Sequence, residues 1–412
     1  MRKNVLFLSQ IVPYPPHGGV LQRGYNLIKE IARYNDIYLL AFVHPEMLAT
    51  EERISNSMEE LKKICTDVSF FPLWPKKSLL HKWTAYALGL IYQKPFSTLA
   101  HRSTAFKQKI EEILSSKRVD IVHFDTIGLA PYLPLVQGLP TTLTHHNIES
   151  SLMARRAKVE ENILKRWYIE LQARRLRLYE KQMSGCFDIN IMMSERDAAE
   201  LLSIEPLCST VIVPNGVDLE YFTMCKDIQE NIIIYTGGMN MFANKDAVLH
   251  FITDIWPIVK HKVPNARFVV IGQDPPSELL SQSRLDPSIQ VLGYVDDIRP
   301  YVAKAAVYVV PIRVGGGTRL KVLDALAQGK AIVSTSIGCE GIGVTDGHDI
   351  LIEDDDKEFA LRVIDLLGDQ ALRNQLGLRA RHLAESRYGW ESVGVVLQAA
   401  YSSLDEKVEE KG

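Results

Sequence analysis

Short apolar runs alternate along this chain with segments whose apolar positions recur at helical spacing. In the first half the runs at 4–9, 37–43, 68–73, 120–125, 141–145 and 188–194 read as strands. Helical patterns lie between them, the longest covering 149–184 as one densely charged helix. A further strand ends in Val213-Pro214-Asn215-Gly216-Val217-Asp218, and a polar stretch follows to Glu230. The pattern then restarts, with strands at 231–236, 266–272, 289–295, 307–311, 331–335 and 350–353. Helices follow at 245–262, 299–305, 318–328 and 357–367, and a helical tail at 371–408 breaks near 387–390. Strand–helix alternation of this kind predicts two consecutive α/β units, each a doubly wound parallel sheet. The division expected is 1–213 for the first domain, 214–230 for a linker, 231–386 for the second domain and 387–412 for a terminal helix.

Composition adds exclusions. Apolar residues make up 46% and charged residues 24%, as in ordinary globular chains. No run approaches the roughly 18 apolar residues a spanning helix needs. The opening Met1-Arg2-Lys3-Asn4 passes at once into Val5-Leu6-Phe7-Leu8, which reads as a first strand rather than a signal peptide. The cysteines Cys65, Cys186, Cys208, Cys225 and Cys339 are scattered without CxxC spacing, so neither a disulfide framework nor a zinc site is expected, and a cytoplasmic setting fits. A net charge of −3 argues against bulk nucleic-acid binding. The first half is net basic and the second net acidic, a hint of units with different neighbours.

Ligands of doubly wound sheets bind beyond the carboxyl ends of the strands, so the residues there are the candidates. The most informative run is Arg313-Val314-Gly315-Gly316-Gly317-Thr318-Arg319-Leu320-Lys321, continuing through Asp324 to Ala327. A strand ends, three glycines follow, and a helix is expected to begin with Thr318 as its N-cap. Arg319 and Lys321 would then fall in the first turn, where the helix dipole disfavours cations. Together with Arg313, they make sense around a diphosphate held on Gly316, Gly317 and the helix start. The plainer alternative is a tight turn with solvated charges. Asp324 is placed to accept from a ribose diol, or else is a surface carboxylate. Thr236-Gly237-Gly238 with Lys245 repeats the same logic after the second unit's first strand. In the first unit, Pro15-Pro16-His17-Gly18-Gly19 follows the first strand, and its glycines permit close backbone approach. Thr144-His145-His146-Asn147 ends the fifth strand. Adjacent histidines there point to opposite faces, so at most one reaches a site. No histidine spacing or third ligand suggests a metal.

These stretches, in this order, resemble retaining glycosyltransferases of family 4, and most closely the branch serving bacterial polysaccharide and exopolysaccharide synthesis. The match rests on Pro15–Gly19, His146-Asn147-Ile148-Glu149-Ser150, Val213–Asp218, Gly237-Gly238 with Lys245, and Gly315–Ala327. The resemblance implies a GT-B fold: two Rossmann-like domains facing a cleft, with the C-terminal helix crossing back to the first. It implies transfer of a sugar from a nucleotide diphosphate sugar to a glycan or lipid-linked acceptor, with no cofactor and no metal. It makes His146, Lys245 and Arg319 the catalytic residues. Gly18, Gly19, Gly238, Arg313, Gly316, Gly317, Thr318, Lys321 and Asp324 become donor-binding, with Asp324 matching the second Glu of the family's Glu-x7-Glu element. The chain departs from the pattern at Gly316, where the first Glu belongs, and at Met239, where an arginine usually stands. Arg313, Arg319 and Lys321 restore positive charge.

Two alternatives compete: a non-catalytic nucleotide-sugar-binding protein, and an epimerase or phosphorylase on the same fold. A separate feature is the basic 149–184 segment, with Arg155, Arg156, Lys158, Lys165, Arg166, Trp167, Arg174, Arg175 and Arg177, joined by Trp83, Tyr86 and Tyr92 from 79–96. Cations with interfacial aromatics suit peripheral contact at a membrane's inner face. The interspersed Glu160, Glu161, Glu170 and Glu180 favour a solvated face of i,i+4 pairs instead.

Overall fold

The computed structural model describes residues 2–16, 18–44, 50–73, 95–224, 230–315 and 319–409. His17, Cys225, the triplet Gly316-Gly317-Thr318 and the segment 79–94, with Trp83, Tyr86 and Tyr92, lie outside the described residues. The chain forms two compact units. One comprises 1–214 with 393–412, and the other comprises 215–392.

The first unit holds β1 (Lys3–Ser9), β2 (Asn35–Val43), β3 (Asp67–Pro72), β4 (Ile121–Phe124), β5 (Thr141–Thr144), β6 (Ile189–Met192) and β7 (Thr210–Ile212). They pair in the order β3-β2-β1-β4-β5-β6-β7, every ladder parallel. The second unit holds β8 (Glu230–Thr236), β9 (Arg267–Ile271), β10 (Ile289–Gly293), β11 (Ala305–Val310), β12 (Ile332–Ser334) and β13 (Leu351–Ile352). Its order is β10-β9-β8-β11-β12-β13, again parallel throughout. Parallel strands are covered on both faces, which is why their sequences read as unbroken apolar runs. Val5, Leu6, Phe7 and Leu8 of β1 are wholly buried, as are Ile233, Ile234 and Tyr235 of β8. In each sheet the winding reverses beside the first strand, between β1 and β4 and between β8 and β11. That reversal opens the crevice where such folds take ligands.

The chain returns to the first unit through the helix Trp390–Glu409. Tyr401 of that helix hydrogen-bonds His123 Nδ1 at 2.8 Å, and its carbonyl accepts from Lys3 Nζ at 2.9 Å. The break expected near 387–390 is a π-turn, Ala384–Tyr388, ahead of this helix. Val217 and Phe222 are buried in the second core. Val217 N–H donates to Tyr388 O at 2.7 Å, and a Cβ on Gly216 would strike the Trp390 ring, so the Pro-Asn-Gly-Val run is shaped by packing.

Two expectations are corrected. The 149–184 segment is two helices, Glu149–Val159 and Ile163–Ser184, because Asn162 caps the second by accepting from Lys165 N–H at 3.0 Å. The helix expected from Thr318 begins at Leu320, with Arg319 at the N-cap position in an extended conformation. Only Lys321 of the two cations therefore lies inside the first turn.

Candidate active site

In the first unit the loops after β1, β4 and β5 converge. His146, two residues past β5, donates through Nε2–H to Asp125 Oδ1 at 3.0 Å. Asp125 directly follows β4 and is 3% exposed. Its other carboxylate oxygen accepts from Ser9 Oγ, at the end of β1, at 3.3 Å. His145 turns the other way: its Nε2 meets Asn190 Oδ1 at 3.0 Å, and burial holds its imidazole down at about 4. The expectation that adjacent histidines diverge is met, and His146 is the one facing the strand ends. Glu149, which accepts from Thr126 Oγ1 at 3.2 Å, is pushed up by burial.

Sequence reasoning missed Asp125 and also Arg23. Arg23 is fully buried and donates to the carbonyls of Val213 and Pro214 at 2.7 and 2.6 Å. Burial lowers its guanidinium to about 10, while Asp125 acts in the opposite sense. Below Asp125, His123 is enclosed by Thr142, Thr144 and Tyr401 and stacked on Phe7 with ring centroids 4.2 Å apart; burial holds it at about 3. Gly18, with φ +92°, precedes the helix Gly19–Ile31, whose first residues are exposed.

In the second unit the loops after β8 and β11 lie side by side. Lys321 reaches from the helix Leu320–Ala327 to the end of β8. There its Nζ donates to Tyr235 Oη and Asn244 Oδ1, each at 2.8 Å, and sits 4.2 Å from the Tyr235 ring centroid. A Cβ on Gly237 would strike that ammonium, so glycine leaves the cation its place. Burial, reinforced by Arg319, lowers Lys321 to about 7. Asp324, one turn on, is raised by burial to about 7 against the pull of Lys321. Among the described residues, nothing hydrogen-bonds the Asp324 carboxylate.

Asn244 Nδ2 donates to Gly238 O at 2.8 Å, fixing the loop. Lys245, in the first turn of the helix Phe242–His250, forms no ion pair with a described residue. The Arg319 guanidinium lies against Gly315, where a Cβ would meet Nη2 at 2.9 Å. Arg313 is committed to Asp246, at 2.9 and 3.3 Å. Met239, where the family pattern carries an arginine, is buried in the core. Gly316, Gly317 and Thr318 lie outside the described residues.

Among the described residues, one cluster has metal-ligand chemistry: His250 with Asp254 at 2.8 Å and Asp356 at 2.7 Å. Both ring nitrogens are taken by carboxylates, so the cluster clamps the helix Phe242–His250 to the start of the helix Asp356–Gly368.

Two doubly wound sheets with polar clusters at the carboxyl ends of their strands define a GT-B fold. The family described as glycosyltransferase family 4 matches residues 18–221, and that described as glycosyl transferases group 1 matches 230–369. The chain belongs to the family 4 glycosyltransferases. It is 21% identical over 401 residues to an uncharacterised 44.6 kDa protein of the cps region of Klebsiella pneumoniae, covering 94% of this chain and 97% of that one. Among solved structures it is similar to sucrose-phosphate synthase from Thermosynechococcus elongatus, with TM-score 0.68 and 15% identity over 98% of this chain and 100% of the other. It is also similar to Anabaena HepE in complex with UDP, with TM-score 0.65 and 14% identity over 98% and 100%.

Proposed function

We propose that the protein transfers a sugar, with retention, from a nucleoside diphosphate sugar to a glycan or lipid-linked acceptor, without a metal. The observation that carries this reading is Lys321, a half-buried cation beside a glycine at the end of β8, with Arg319 against Gly315 nearby. Among the described residues the Lys321 ammonium hydrogen-bonds only the neutral Tyr235 and Asn244, so its partial desolvation is costly, and an incoming diphosphate offsets that cost. HepE, a structural relative, was solved with UDP, which supports a nucleoside diphosphate as ligand.

In this reading Lys245, Arg319 and Lys321 stabilise negative charge growing on the departing diphosphate, and the start of the helix Leu320–Ala327 adds backbone N–H groups. Arg313 contributes less, because Asp246 already neutralises it. Asp324 accepts from the ribose. Gly18 and Gly19 approach the donor phosphates, and His146, held by Asp125, contacts the donor sugar. No carboxylate is assigned as a covalent nucleophile. Substitution proceeds on one face, and the leaving phosphate takes the acceptor hydroxyl's proton as the new glycosidic bond forms. The similarity to a cps-region protein supports a surface-polysaccharide acceptor.

The test is turnover of labelled UDP-, GDP- and ADP-sugars against saccharide and lipid-linked acceptors, in EDTA. Transfer that keeps the donor's anomeric configuration supports the reading. Binding without turnover favours the non-catalytic alternative, and rescue only by magnesium or manganese removes the metal-free mechanism.

A further inference from the structure

The helix Ile163–Ser184 carries two apolar faces. Its inner face buries Ile169, Ala173, Leu176 and Tyr179 in the first unit, and Glu180, expected among the solvated acids, turns inward to Ser150. Burial raises the Glu180 carboxyl to about 7. The other expected acid, Glu160, pairs with Lys165 at 2.7 Å. The opposite side of the helix is apolar as well. Ile163, Leu164, Trp167, Leu171 and Leu178 follow one another at i, i+1, i+4, i+8 and i+15, which places them along a single stripe. Ile163 is 71% exposed, Leu164 79%, Trp167 56% and Leu178 69%. From Ile163 to Leu178 the stripe runs about 23 Å along the helix.

Arg174 lies within the stripe, and Arg166, Arg177 and Lys181 border it, all exposed. Only Glu170 opposes them along the same border. A solvated helix face carries isolated apolar residues, whereas this one lines them up and frames them with cations.

We propose that this outer stripe is an interfacial surface that seats the first unit on an anionic lipid bilayer. Trp167 and the aliphatic side chains enter the headgroup boundary while Arg166, Arg174, Arg177 and Lys181 meet lipid phosphates. The cations decide the occupant: a neutral apolar partner leaves four charges without counterparts. Among the described residues no helix is long and apolar enough to cross a membrane, so the contact is peripheral.

The experiment is flotation of the full chain with phosphatidylglycerol–phosphatidylcholine vesicles, compared with phosphatidylcholine alone. The expected result is binding to the anionic vesicles that weakens with salt. It should fall at least about tenfold in the triple variant Ile163→Ser, Leu164→Ser, Trp167→Ser, and the anionic preference should be lost in Arg174→Glu with Arg177→Glu. All five positions are exposed, and circular dichroism checks that the fold is kept. His146→Ala is expected to float like the wild-type chain, so failure of the transferase reading leaves this result standing. Equal binding to both vesicle types, or binding to neither, overturns the proposal. So does a lipid-free oligomer that the triple variant dissolves, since the stripe would then cover a second copy.

Discussion

His146 Nε2 and Asp125 Oδ1 lie 3.0 Å apart, joining the end of β5 to the end of β4. Asp125 thereby fixes the imidazole's orientation and leaves Nδ1 for other partners. Asp125→Asn keeps an acceptor oxygen but loses the charge and adds a competing donor. The expected outcome is a fall in kcat of at least about tenfold with a smaller change in KM, because the diphosphate contacts proposed above lie on the second unit. Steady-state kinetics on the purified variant, with a pH–rate profile, checks this. A kcat equal to wild type removes Asp125 from the site.

The cations are expected to differ in weight. Lys245→Ala and Arg319→Ala should each lower donor turnover at least about tenfold with the fold intact, as loss of a charge-stabilising donor does. Arg313→Ala should cost less, since its guanidinium already serves Asp246. Turnover of the three variants, ranked side by side, tests the assignment. Near-wild-type rates in the first two would remove it.

Much of this fold is legible in the sequence, for a physical reason. Parallel strands buried on both faces leave unbroken apolar runs, and every strand expected in 4–353 is present within a few residues of its expected ends. The helix break at 160–162 is hidden because Asn162 looks like another polar helix position until its side chain is seen accepting from Lys165 N–H. Arg23 is hidden because a cation in an amphipathic helix reads as solvated. Its one signal is its position four residues before Leu27, on the buried face. Asp125 reads as the polar end of a strand, and only the β1-β4-β5 adjacency brings it to Ser9 and His146. Lys321 is legible as a misplaced helix-start cation, but its reach across to Tyr235 and Asn244 depends on β8 and β11 being neighbours.

Lys321 should make nucleotide binding depend on pH. Burial lowers it to about 7, and a bound diphosphate stabilises the charged form, so binding takes up a proton near neutrality. Affinity for a nucleoside diphosphate is expected to hold below about pH 7 and to fall as pH rises, by up to about tenfold per unit. Lys321→Arg, charged throughout, should flatten the profile. Calorimetry in buffers of different ionisation enthalpy measures the proton directly. The same shift bears on stability. The unfolded chain holds the extra proton between about 7 and 10.5, so this group's contribution to folding improves as pH rises through that window.

The buried histidines act in the same sense, in a more acidic window. His123 is held at about 3 and His145 at about 4, both below the ordinary 6.5, so the unfolded chain binds their protons first. Stability of the first unit is expected to fall as pH drops from about 6.5 toward 4. Denaturant titrations across that range should show a shallower decline in His145→Gln than in the wild-type chain, provided the variant folds with Asn190 still paired.

The central claim is that the glycine-flanked cations of the second unit form a diphosphate site that works without a metal. The measurement that tests it most directly is thermal unfolding with UDP, GDP or ADP in the presence of EDTA, for the wild-type chain and for Lys245→Ala combined with Lys321→Met. At least one of the three nucleotides is expected to raise the wild-type midpoint, as any ligand of the native state does, and to leave the double variant unmoved. Absence of a shift with all three, or an equal shift in the double variant, would contradict the account.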